Sequence, residues 1–309
     1  QKSAFARNTG WAMAGEASRQ VFRAAYFLLV ARALGASHFG ELVGVSAMIA
    51  VLSPFASLGS GNLLIKNVSV RRNLFAVCWG NALFMCVASG TFLLLVALAI
   101  RGWVLSNLIP FSLVLWIGMA DLIFTRILDF SNQAFQAVER LKDTAMIVGI
   151  FSGARLLGAI ALIAIVRVPT AAKWAVLYFV STAVASLISV FKVYRQFVQP
   201  SLDLSRIRRE IREGSYFAVS ISAQSIYNDI DKTMLVRLSN TEAAGIYAAA
   251  YRLVDVTMVP IQSLLSAAYP RFFQHGSEGG AKATAQYARR FLPKVSLYGI
   301  FAVIALFVV

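Results

Sequence analysis

Apolar residues along this chain come in long runs, not in the alternating or short periodic patterns of a soluble fold. Nine runs stand out, at roughly 9–33, 41–65, 74–100, 110–137, 144–166, 173–195, 214–238, 243–272 and 290–309. The cleanest is WAVLYFVSTAVASLISVF over 174–191, eighteen residues without a charge. At ~1.5 Å of rise per residue, about 20 helical residues cross the ~30 Å hydrocarbon core of a bilayer. The pattern therefore predicts an all-α, polytopic membrane protein with about nine transmembrane helices joined by short polar turns. The last run is shorter: the fifteen residues Val295–Val309 make roughly 22 Å of helix and are still apolar where the sequence stops. A longer, C-terminally truncated protein is the expectation.

Composition agrees with this class. Of 309 residues, 59% are hydrophobic and 14% charged, with a mean hydropathy of +0.70, outside the range of soluble domains. The net charge of +15 raises the question of a nucleic-acid partner, and the placement of the basic residues answers it. Eighteen Lys and Arg fall in alternate loops on one side of the predicted spans and five on the other. That asymmetry predicts a cytoplasmic N-terminus and no nucleic-acid partner. The two cysteines, Cys78 and Cys86, lie eight apart in one apolar run and are expected simply to pack. GxxxxGK, HExxH and CxxC are absent and the two histidines, His38 and His275, are isolated. No cofactor or metal is expected.

Six basic and six acidic residues lie inside the spans, and equal numbers imply internal pairing, because an unpaired buried charge is expensive. Glu16, Arg19 and Arg23 are spaced i, i+3, i+7 in the first span, which stacks them on one helix face. Asp229 and Lys232 in the seventh are i, i+3 and form an expected pair, leaving Asp231 on another face. Asp231, with Asp229 and Glu16, is the candidate set for a coupling H⁺ or Na⁺; a structural pin between helices is the competing reading for the seventh-span acids. Arg126 and Asp129 in the fourth span form an expected ion pair, and Arg155 in the fifth is expected to pair with Asp121 or Asp129. Gly149 and Gly153, just before Arg155, make a GxxxG that permits close helix packing.

The polar segment QPSLDLSRIRREIREG over 199–214 shows Leu204, Ile207 and Ile211 on one helical face amid four arginines. It is either a helix lying on an anionic leaflet or a solvated linker. It divides the chain into a six-helix lobe (1–198), a basic cytoplasmic linker (199–213) and the first three helices of a second lobe (214–309). An internal repeat supports that division. ARALGASHFGELVG (31–44) aligns with VRLSNTEAAGIYAA (236–249) at an offset of 205, matching Arg32 to Arg237 and Gly40 to Gly245. After one insertion, Pro54, Ser57, Leu58 and Ser60 match Pro260, Ser263, Leu264 and Ser266. The offset is six spans, so the copies run in the same direction, related by an axis along the membrane normal. A complete second lobe would add three helices, giving about twelve.

At these residues the sequence resembles the polysaccharide flippases of the multidrug/oligosaccharidyl-lipid/polysaccharide (MOP) superfamily. ARALGASHFGEL, SLGSGNLLIKN and YNDIDKTMLVRLSNTEAAGIYAAAYRLVDV (227–256) carry the likeness. The resemblance implies a transporter, not an enzyme, that moves polyprenyl-diphosphate-linked oligosaccharide across the bacterial inner membrane. It would act by alternating access, beside membrane lipid and other polysaccharide-assembly proteins. In such a protein Arg19, Arg23 and Arg252 are the candidate partners for the diphosphate, since guanidinium stays charged and grips phosphate bidentately. The alternatives are a cation-coupled multidrug exporter of the same superfamily and, from another class, a membrane-embedded glycosyltransferase or polymerase. The second would call for a sizeable extramembrane loop bearing carboxylates or histidines, and the 199–214 loop carries no such constellation.

Overall fold

The computed structural model describes the backbone of residues 2–252, apart from 106–108, 139 and 198, and scattered helical positions between 254 and 301; side chains are described from Phe22 onward, with gaps. The elements are α1 (Lys2–Ser57), α2 (Ser60–Val70), α3 (Phe75–Val104), α4 (Phe111–Gly118), α5 (Thr125–Ala137), α6 (Leu141–Ile165), α7 (Ala171–Gln196) and α8 (Leu204–Leu238). A 3-10 turn at Arg72–Leu74 precedes α3, and a π-helical turn at Met119–Phe124 joins α4 to α5. No strand occurs among the described residues.

Five stretches are long and apolar enough to cross a membrane: Phe22–Ser57, Arg72–Val104, Phe111–Ala137, Lys142–Ile165 and Ala171–Gln196. They fall on the second to sixth expected spans, the first stretch also taking in part of the first span, because uninterrupted apolar runs fix both the helix and its length. Most of 243–272 and 290–309 lies outside the described residues, as do the side chains of the first half of the first span. Phe92, Leu157 and Leu187 on α3, α6 and α7 are 64%, 67% and 62% exposed. An apolar surface of this kind suits lipid and not water. The protein is an all-α, multi-pass membrane protein.

The interior gathers where α2, α3, α5, α6 and α7 meet, around Trp79, Leu64, Phe135 and Ile147, each at most 1% exposed. Cys78 and Cys86 are free and buried, packing as their apolar setting requires. Among the described residues, a Cβ at Gly149 or Gly153 would meet nothing within 4 Å, so the close approach that this GxxxG permits is not seen there. Small residues permit such a crossing; they do not create one.

Residues 1–246 form one compact unit and 247–309 a second. Within the second, the Tyr247 and Tyr251 rings are 5.7 Å apart and the Tyr298 hydroxyl donates to the Thr257 carbonyl at 2.9 Å.

Within the first unit, α1 is two limbs that kink at Gly35, whose φ of 68° and ψ of 173° suit glycine alone. The expected loop between the first two spans is thus reduced to one residue. The second limb packs antiparallel to α8 along its whole length. Ser37 Oγ meets Thr241 Oγ1 at 3.2 Å, and Ser222 Oγ donates to the Val51 carbonyl at 2.9 Å. Gly44 receives Val236, and Gly59, at φ 67°, lies so near Gly214 that a Cβ on it would be 2.7 Å from the Gly214 carbonyl oxygen.

The repeat found in the sequence is realised in this seam. A Cβ on Gly40 would collide with the Thr241 carbonyl, and one on Gly245 with the Ala36 carbonyl. Each would also come within 2.9 Å and 3.0 Å, respectively, of the other glycine's backbone nitrogen. Ala36 and Thr241, like Gly40 and Gly245, are equivalent at the 205-residue offset. The contact is therefore reciprocal, as a two-fold axis demands of the surfaces that face each other across it.

The polar segment proves different in its packing. Asp203 caps α8 by accepting the Ser205 N–H at 3.1 Å, and the Ser205 hydrogen bonds hold its carboxyl below the ordinary range. From Leu204 the helix continues without a break to Leu238, so the basic segment and the seventh span are one rod. Its buried side is Ile207, Glu210, Gly214 and Ala218. Of the apolar face, Ile207 packs inward, while Leu204 is 69% and Ile211 40% exposed. Gly214 is drawn in by its backbone approach to Gly59, and Glu210 by a hydrogen bond described below.

Candidate functional site

A largely enclosed ion pair lies where the turn between α4 and α5 meets α6 and α7. The π-helical turn is wider than an α-turn, a geometry that recurs at functional positions, and Asp121 sits within it. Its Oδ1 accepts from the Tyr178 hydroxyl of α7 at 2.8 Å and from Thr125 Oγ1 of α5 at 3.2 Å. Arg155 of α6 brings Nη2 to 3.5 Å from the same oxygen. The guanidinium lies 4.2 Å from the Phe151 ring centroid and 4.0 Å from that of Tyr178, inside the range of cation–π attraction. Trp174 extends this wall, 6.4 Å from Tyr26 of α1 and 6.0 Å from Tyr178.

Arg155 is close enough to Asp121 for an ion pair, yet its Nε and Nη2 make no hydrogen bond among the described residues. The Arg155 side chain is 12% exposed and that of Asp121 21%. Mutual attraction and the ring faces hold the cation, and the acid spends its hydrogen bonds on hydroxyls. The site is a neutralised pair inside one helical bundle. The sequence placed Arg155 with an acid of the fourth span, and Asp121 is that acid. The aromatic walls were not anticipated, because tyrosine and tryptophan in an apolar run look like packing until their partner is known.

Other expected pairs form. Arg126 Nη1 lies 3.2 Å from Asp129 Oδ2, and Lys232 Nζ lies 2.6 Å from Asp229 Oδ1. Both are i, i+3 on one helix, where sequence spacing alone brings side chains together. Asp231 is half-buried and accepts the Lys232 backbone N–H at 2.7 Å. Arg23 is exposed on α1, and Arg252 is half-buried in the second unit. The side chains of Glu16 and Arg19 lie outside the described residues.

A second polar centre joins α8 to α3. Asn81, 0% exposed, accepts the Asp203 N–H at 3.0 Å and donates to the Asp203 carbonyl at 3.2 Å and to Glu210 Oε2 at 3.3 Å. The Ser201 N–H donates to the Ala76 carbonyl at 3.0 Å, and Gly80 leaves room for the Ser201 carbonyl, which a Cβ would strike. Burial pushes the Glu210 carboxyl up, against the opposing pull of Asn81 and Arg206. One sequence signal pointed here: Asn81 is the only amide in the 74–100 run.

Solved structures that superpose on this chain include membrane transporters. The MATE multidrug transporter DinF-BH, solved in complex with rhodamine 6G, superposes with a TM-score of 0.67 at 13% identity, covering 99% of this chain and 72% of that one. An outward-facing MATE-family transporter of the MOP superfamily gives 0.64 at 14%, covering 98% and 69%. A MOP superfamily transporter from Pyrococcus furiosus, described as having a binding pocket of reverse polarity that suggests a different function, gives 0.67 at 14%, covering 96% and 70%. Among curated proteins none matches the sequence. The fold is thus that of the MOP-superfamily transporters, a class of multi-pass helical membrane proteins. By sequence the chain belongs to the polysaccharide biosynthesis protein family, whose model matches residues 5–275.

Proposed function

We propose that this protein flips polyprenyl-diphosphate-linked oligosaccharide across the bacterial inner membrane by alternating access between two lobes, with its N-terminus in the cytoplasm. The observation that carries the reading is Arg23, an arginine exposed on a helix that is otherwise built for the membrane. A charge facing lipid at that depth costs at least ~2.5–3.5 kcal/mol, so its face suits a wet, polar space. Glu16 and Arg19 share that face by spacing, and Arg252 is the second lobe's candidate. Guanidinium groups there suit a diphosphate, and membership of a polysaccharide biosynthesis family supports a glycan-bearing cargo. Asp231, beside the Asp229–Lys232 pair, is the candidate for a coupling H⁺ or Na⁺.

Drug export is the second reading, favoured by the likeness to DinF-BH bound to rhodamine 6G. Complementation of a flippase-null strain separates the two. Arg23→Ala is expected to abolish export, seen as accumulated lipid-linked repeat unit, while the protein stays in the membrane fraction. Wild-type export by that variant removes the assignment, and rhodamine 6G efflux without complementation establishes the drug reading instead.

A further inference from the structure

α8 leaves the polar segment and enters the apolar one without a break, so one of its faces must cross the surface of the membrane. The face opposite Ile207, Glu210 and Gly214 shows where. Arg209, Arg212, Tyr216, Val219, Ile226 and Ile230 follow one another at three- and four-residue steps, or their sum, and so lie on one stripe. All six are exposed, Tyr216 at 72% and Val219 at 59%. Read along the helix, the stripe passes from two cations through an aromatic hydroxyl to aliphatic side chains over about 32 Å. That is the order of phosphate layer, interface and hydrocarbon met on entering a bilayer from one side.

The polar end of this stripe holds a groove of about 560 Å³ lined by Arg209, Arg212, Glu213 and Tyr216. Two guanidinium groups and one carboxylate leave it a single net positive charge. No ion pair engages Arg209 or Arg212 among the described residues. Glu210, the next residue, lines a neighbouring hollow with Arg206 and Arg209 and makes no ion pair with either among the described residues, its Oε2 accepting from Asn81. Exposed Arg208 adds positive potential beside the groove.

We propose that Arg209 and Arg212, with Tyr216 one turn deeper, bind the phosphate head group of an acidic phospholipid resident in the leaflet that α8 enters. One phosphodiester charge balances the net charge of the groove. The glycerol backbone comes level with Tyr216, and the acyl chains run along Val219 and Ile226. The lipid is distinct from transported cargo and fastens the rod at the depth where it meets the membrane.

Native mass spectrometry of the full chain, released from nanodiscs of equal phosphatidylglycerol and phosphatidylethanolamine, tests this. The wild type should retain at least one phosphatidylglycerol in preference to phosphatidylethanolamine. R209Q/R212Q should lower that preference about thirtyfold, the effect of two arginines at an anionic surface. R71Q/R72Q, at exposed arginines of another turn, should keep it. A melting temperature equal to that of the wild type certifies each variant's fold. The proposal is overturned if the wild type shows no preference or favours phosphatidylethanolamine, or if R209Q/R212Q retains phosphatidylglycerol as well as the wild type. Displacement of the bound phosphatidylglycerol by polyprenyl diphosphate, blocked by the same double substitution, also overturns it and gives the arginines to the cargo.

Discussion

Asp121 and Glu210 are both acids drawn away from solvent at a junction of helices, and they are held in different ways. Asp121 has a cation, Arg155, boxed between rings beside it, and two hydroxyls to satisfy its oxygen. Glu210 has a neutral amide, Asn81 of α3. The first arrangement is neutral only while both charges persist, so each member depends on the other. The second tolerates a proton, because the hydrogen bond from Asn81 survives when the acid is neutral. The amide leaves the protonation state of Glu210 open to pH.

The sharpest way to break the comparison is to remove the cation. Arg155→Ala should leave Asp121 buried and unpaired, costing about 3–5 kcal/mol in detergent-solubilised unfolding. D121N/R155Q should cost less than that single change, and a double-mutant cycle reads the coupling directly. Asn81→Ala should be milder, about 1–3 kcal/mol, since it strands neutral groups and one acid that can take up a proton. Its effect should be local, seen as faster amide exchange over 199–213 and not as loss of the bundle.

The smallest effect is the one specific to Glu210. Its folded value is raised, so the docked helix binds the proton more tightly than the free one. The resulting stabilisation is fully present below the ordinary glutamate range and is lost as pH rises through the raised value. Amide protection across 204–213 should therefore weaken over that window and stay flat in Glu210→Gln. A pH response that persists in Glu210→Gln would move its source elsewhere.

What the sequence disclosed follows from the range of the interactions involved. Apolar runs announced the spans, and i, i+3 spacing announced Arg126–Asp129 and Asp229–Lys232, because a helix fixes both at short range. Asp121–Arg155 was legible as a match of opposite charges, while its aromatic box depended on how α1, α6 and α7 assemble. The docked face of α8 was not legible, because a wheel of apolar residues gives no weight to Gly214 or Glu210. Their burial is decided by partners far away in the chain, Gly59 and Asn81. The candidate cargo site was legible only as charges out of place, Arg23 foremost.

The glycine pair on the repeat axis carries a lesson about inheritance. Away from such an axis, two copies of a segment inside one chain are free to drift apart, and here they have: Tyr26, beside Trp174, stands opposite Asp231 in the alignment. On the axis a residue faces its own counterpart, and whatever room one copy takes is room denied to the other. Gly40 and Gly245 meet there with no space for a methyl group on either. Duplication doubled the number of residues but not the freedom at this point, and the two positions behave as a single site written twice.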